Sequence, residues 1–153
     1  MKGYPRSAAA AVALIAAGAL AAGCGNGEQN DYVDQVNEIQ TQLVNDLTEA
    51  GGGPVTSNPK EAAHAADEIA NVFNSTADEL EAVEPPEEVA DLHSQLVSSL
   101  RGIGRDVTAA SDAFTSGNPQ QAQQAAVALT QAATQAQTQL NGIVDQINTE
   151  LQN

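Results

Sequence analysis

Apolar residues recur at three- and four-residue spacing along most of this chain, and the runs are separated by glycine and proline. Tyr32, Val36, Ile39, Leu43 and Leu47 predict a first amphipathic helix over Asp31 to Ala50, ended by Gly51-Gly52-Gly53-Pro54. Asn58-Pro59 joins a good N-cap to the residue preferred at the first helical position, and a second helix follows through Ala62, Ala66, Ile69, Phe73, Leu80 and Val83. It stops before Pro85-Pro86. A third starts near Pro86, carries Val89, Leu92, Leu96, Leu100, Ile103, Val107 and Phe114 on one face, and closes at Ser116-Gly117. Asn118-Pro119 repeats the start signal for a fourth, whose Ala122, Ala126, Leu129, Ala133, Ala136, Leu140, Ile143 and Ile147 alternate steps of four and three in a heptad-like, coiled-coil seam.

Four stripes joined by short connections predict an all-α fold, an up-down-up-down antiparallel four-helix bundle. The two Asn-Pro starts lie 60 positions apart, and that offset also pairs Ala66 with Ala126, Ile69 with Leu129, Leu80 with Leu140 and Leu43 with Ile103. A duplicated helical hairpin gives such a register. Two unrelated amphipathic helices with the same start signal give it as well, and the pattern leaves both open.

The first 23 residues follow a different logic. Lys2 and Arg6 form a basic start, Ala8 to Leu20 an apolar run, and Leu20-Ala21-Ala22-Gly23-Cys24 a small-residue ending. This ending resembles the lipobox of bacterial lipoproteins, although Ala21 stands where that pattern usually has a branched residue. The resemblance implies a signal peptide over 1–23, removal of that peptide, and a diacylglyceryl (palmitate-type) anchor on Cys24. The protein is then expected on the extracytoplasmic face of the cell membrane. An ordinary signal with a free thiol and a retained membrane span are the alternatives, and the apolar run is short of the ~20 residues a span needs. Residues 24–30 read as the lipidated cysteine and a polar tether, and 31–153 as one helical domain.

Without the leader, Lys60, Arg101 and Arg105 face all 20 Asp and Glu, a net charge of −17. Nucleic-acid phosphates would be repelled by such a surface, so no nucleic-acid partner is expected. Anionic lipid head groups would be repelled too, which leaves residence at the membrane to the acyl chains. Trp is absent and Phe73, Phe114, Tyr4 and Tyr32 are the aromatics, so the core rests on Ala, Leu, Val and Ile. Alanine favours helix yet buries little area, and modest stability follows. Cys24 has no second cysteine with which to form an internal disulfide.

Few residues suggest chemistry. Glu61-Ala-Ala-His64, with Glu68 one turn on, has the Glu-x-x-His spacing of di-metal bundles. At about 100° per residue, however, His64 falls far from the apolar stripe and faces water. His93 lies at the stripe's edge, where a histidine either gates a cleft or packs its ring and bonds to water or a carbonyl. Ala90 stands where a second Glu-x-x-His would need glutamate, so no metal or other cofactor is assigned, with Glu61, His64, Glu68 and His93 as weak candidate ligands. Ser94, Ser98 and Ser99 have no Gly-x-Ser-x-Gly elbow with them, and no catalytic residue is expected.

Acidic residues from Asp78 to Asp91 crowd the Pro85-Pro86 turn, and those at the end of the second helix oppose its dipole, leaving room for a cation or a basic partner. Arg101-Gly102-Ile103-Gly104-Arg105 suggests a kink or a close helix contact. No charge occurs between Asp112 and Asp145, so the Gln and Thr face of the fourth helix (Gln120, Gln123, Gln124, Gln131, Thr134, Gln135, Thr138) could meet a partner helix, a glycan or a second copy.

The stretches 31–37, 80–93 and 143–148 resemble small helical lipoproteins of high-GC actinobacteria. That resemblance supports location and fold and carries no catalytic residue across. The expected protein is a non-enzymatic interaction or scaffold module, bound to membrane lipid through Cys24 and to an envelope protein or glycan. The alternative is a solute or metal carrier built on the acidic turn and the histidines.

Overall fold

Asn58 and Asn118 start their helices by the same device. Each sits in extended conformation and its side-chain oxygen accepts a backbone N–H of the first turn, from Lys60 at 3.1 Å and from Gln120 at 3.0 Å, with proline next in sequence. A computed structural model describes residues 27–51 and 58–152. Within them lie α1 (Gly27–Gly51), α2 (Pro59–Glu81), a single 3₁₀ turn (Glu87–Val89), α3 (Ala90–Thr115) and α4 (Pro119–Glu150). Among the described residues there is no strand, and no helix is long and apolar enough to cross a membrane. The leader and Cys24 lie outside the described residues, as do Gly52, Gly53 and Pro54 of the expected helix stop.

The boundaries follow local chemistry. α1 begins four residues ahead of Asp31, because Glu28 in its first turn favours the dipole and nothing from Gly27 to Asn30 breaks a helix. Pro86 opens the 3₁₀ turn that carries Val89 into full burial before α3 begins at Ala90. α3 closes at Ser116, and Gly117 then takes φ +73°, the left-handed conformation that glycine adopts without strain.

The closest pairing is α2 with α3. Ala63, Ala66, Ala70 and Ala77 form a small-residue row on α2, facing Val97, Leu100, Gly104, Val107 and Ser111 of α3, all of them buried. At one end the Ser111 hydroxyl donates to the Ala63 carbonyl (3.1 Å), and at the other His93 donates to the Leu80 carbonyl (3.0 Å), so the two helices run in opposite directions. At Gly104 the Asn74 side chain of α2 presses against the α3 backbone: a Cβ there would stand 2.6 Å from Asn74 Oδ1. Of the kink and the close contact suggested by Arg101 to Arg105, the close contact at Gly104 is what occurs, and α3 continues unbroken through it. α4 packs on α3, and α1 packs on α2.

Two stripes sit differently from their expected places. On α2 the buried row is Ala63, Ala66, Ala70, Phe73, Ala77 and Leu80, while Ala62 and Ile69 stay half-buried beside it. On α4 the buried residues are Ala125, Leu140, Ile143 and Ile147, and Ala126 of the expected seam is exposed. Adjacent alanines offer equal area to a neighbour, so backbone approach decides which of them is covered.

Candidate functional site

Below Leu47, the last fully buried residue of α1, the other three helices continue and leave a slot between them. Its floor is Ile103, Val107 and Phe114 of α3; one wall is Ala62, Ala66, Ile69 and Phe73 of α2, the other Leu129, Ala133, Ala136 and Leu140 of α4. The volume is about 270 Å³, and Asp106 and Gln137 are the polar residues lining it. Leu47, Phe73 and Leu140, each 7% exposed, also line it. The alanines on both walls keep the flanking backbones helical without filling the space between them.

At the opposite end of α2 the packing is tighter, and the apolar space beside Leu80 and Leu96 is only about 60 Å³. Tyr32, Val89 and Ile147 are the most enclosed large side chains, and His93 lies among them at 5% exposure. The Leu80 carbonyl can only accept, so His93 Nε2 carries the proton, and Nδ1 accepts from the Tyr32 hydroxyl at 3.1 Å. The two rings meet edge to face with centroids 5.7 Å apart. Burial pushes the imidazole below its usual range against a weaker pull from the Leu80 carbonyl, and burial pushes the Tyr32 phenol up to about 12. Every polar atom of this pair is used internally, so His93 is a packing residue with its nitrogen on a carbonyl. No sequence signal pointed to Tyr32, which lies 61 positions from its partner.

The other candidates are dispersed. His64 is exposed and its Nδ1 lies 3.5 Å from Glu68 Oε2, while Glu61 accepts from the side chain of the N-cap Asn58 at 3.1 Å. His64 and His93 stand at opposite ends of the α2–α3 pair, and among the described residues no three His, Cys, Asp or Glu come together to hold a metal ion. Two acids of the turn are met from within the fold: Arg101 of α3 reaches Asp78 at 2.8 Å and Glu81 at 2.6 Å. Its hydrogen bond and charge hold the Glu81 carboxyl below its ordinary range, and the two carboxylates raise the guanidinium. One cation across the last turn of α2 thus offsets the unfavourable placement of acids at a helix end.

The Gln and Thr face of α4 is exposed as expected. Thr130, Thr134 and Thr138 each turn the hydroxyl back to the carbonyl four residues earlier, so this face offers mostly glutamine amides to solvent. Between α3 and α4, Ser94, Ser98, Ser99, Gln135 and Gln139 border a wide, solvent-open cleft, in which Gln139 donates to Ser99 at 3.0 Å. No family model, curated protein or solved structure matches the chain.

Proposed function

We propose that this chain is a lipid-anchored extracytoplasmic lipoprotein whose helical domain, an up-down-up-down antiparallel bundle, is a non-enzymatic binding module. The single observation that carries the binding role is the apolar slot, a concave and nearly wholly apolar surface in a domain packed more tightly at its far end. The lipobox-like ending at Cys24 and the polar, acidic exterior support anchoring by acyl chains. The titratable side chains described above are committed to internal bonds or lie apart in solvent, an arrangement suited to presenting a surface rather than to moving protons.

Metabolic labelling with palmitate and membrane fractionation test this reading. The account expects label on the wild-type chain in the membrane fraction, and loss of label with release from the membrane in Cys24→Ala. An unlabelled chain retaining the intact leader contradicts the anchor.

A further inference from the structure

We infer that protonation of His93 releases α1 from the other three helices, so that α1 is an acid-sensitive strap across the bundle. The inference concerns the tightly packed end of the molecule and goes beyond the binding reading, since neither the slot nor the anchor enters it.

Geometry decides which contact fails. His93 of α3 joins two other helices through buried hydrogen bonds, from Nε2 to the Leu80 carbonyl of α2 at 3.0 Å and at Nδ1 from the Tyr32 hydroxyl of α1 at 3.1 Å. Protonation leaves the first bond in place, because Nε2 donates in either state. It reverses the second: Nδ1 becomes a donor and faces a hydroxyl that was itself donating. Tyr32 can accept only by turning its own proton away. Among the described residues that hydroxyl bonds to His93 alone, at a position 1% exposed to water. A buried donor is then left unpaired beside a buried cation, and both are costly. The bond to α1 breaks while the bond to α2 holds.

The surroundings do not receive the imidazolium. Tyr32 from α1 and the Leu80 carbonyl from α2 meet the ring, and the enclosed side chains of the turn and of α4 at this end, Val89 and Ile147, are apolar. Asp31 and Asp34 on α1, Glu79 and Glu81 on α2, Glu84, Glu87 and Glu88 in the turn, Asp91 on α3 and Glu150 on α4 all stand exposed. Among the described residues none of these carboxylates pairs with the ring.

α1 is also the helix least held. α2 and α3 keep to each other through their close packing, the Ser111 bond to the Ala63 carbonyl and the Arg101 bridge, none of which involves His93. α1 packs chiefly on α2. Its Val36, Ile39 and Leu43 meet Leu80, Leu96, Leu100 and Leu140 across the small apolar space, so its departure uncovers a strip of leucines supplied by three helices.

The direction with pH follows from the two states of α1. While α1 is docked, burial holds the His93 imidazole below its ordinary range, and once α1 leaves the ring returns toward about 6.5. Above that pH both states are neutral and docking is unaffected. As pH falls through about 6.5 the released state takes up the proton first, and docking weakens until the docked ring also protonates. From pH 7.5 to pH 5 the population with α1 released should rise by up to about thirtyfold.

Amide hydrogen exchange on the full chain over that range, each rate corrected for its intrinsic pH dependence, tests the inference. Amides of α1 from Val36 to Leu43 should open by up to the same factor of about thirty while those of α3 from Leu96 to Val107 keep their protection, and His93→Gln should abolish the rise. Unchanged protection in α1, equal loss in α1 and α3, or the same rise in His93→Gln would overturn it. Should that variant not fold, a proton NMR titration of the wild type decides: the ring contact between Tyr32 and His93 is expected to vanish as His93 protonates, and a contact that survives protonation would overturn the strap.

Discussion

The two ends of this bundle use the same helices and different side chains. Toward the turn between α2 and α3, Tyr32, Leu80, Val89, Leu96 and Ile147 converge from all four helices and are nearly excluded from water. Toward the Asn58 and Asn118 caps, α2 and α4 offer mainly alanine, α1 has ended its buried stripe at Leu47, and a slot stays open. Alanine supports a helix through propensity alone, whereas sealing a core takes area and shape. A helix can thus continue past the point where the core ends, and the protein separates a tightly packed part from an open one.

The largest expected effects contrast the two ends directly. Ile147→Ala, at a site with 0% exposure, should cost about 2–5 kcal/mol in denaturant unfolding. Leu129→Ala, on the half-open slot wall, should cost about 1 kcal/mol or less. Equal losses would erase the distinction. Enlarging a residue sharpens it with opposite signs. Ala77→Leu, at 0% exposure in the close α2–α3 contact, should destabilise by about 1–3 kcal/mol, whereas Ala133→Leu has room and should be neutral or mildly stabilising.

Acid should act on the His93 end of the bundle. The folded-state pKa of His93 lies below its unfolded value of about 6.5. Above that pH both states are neutral and the group adds no pH dependence. As pH falls through about 6.5 the unfolded chain takes up the proton first, so stability declines until the folded-state pKa is passed. Unfolding midpoints measured between pH 8 and pH 5 should drop in the wild type and drop less in His93→Gln. The smallest effect belongs to the exposed Arg101 bridge: Arg101→Ala should cost no more than about 1 kcal/mol and cost less still in high salt.

Caps and breakers made the helices readable from sequence. Asn58-Pro59, Asn118-Pro119, Pro85-Pro86 and Ser116-Gly117 set boundaries through chemistry confined to neighbouring residues, and α2, α3 and α4 start or stop where those residues stand. What needed the fold depends on contacts between residues distant in sequence. Ala62 and Ala63, or Ala125 and Ala126, have the same side chain, so hydropathy does not tell which meets a neighbouring helix. The His93 bond to Tyr32 and the Arg101 bridge to Asp78 and Glu81 join segments 61, 23 and 20 positions apart. The slot was hidden for a related reason: its alanines read as the small positions of a continuous seam, and the seam opens only because α1 stops contributing buried residues at Leu47.

Amide hydrogen exchange on the full chain tests the contrast between the two ends most directly, since it reports local opening residue by residue. The account predicts the slowest exchange around Leu80, Leu96 and Ile147, and markedly faster exchange in α2 near Ala66 and in α4 near Leu129. Uniform protection along α2 and α4, or the slowest amides at the slot end, would contradict it.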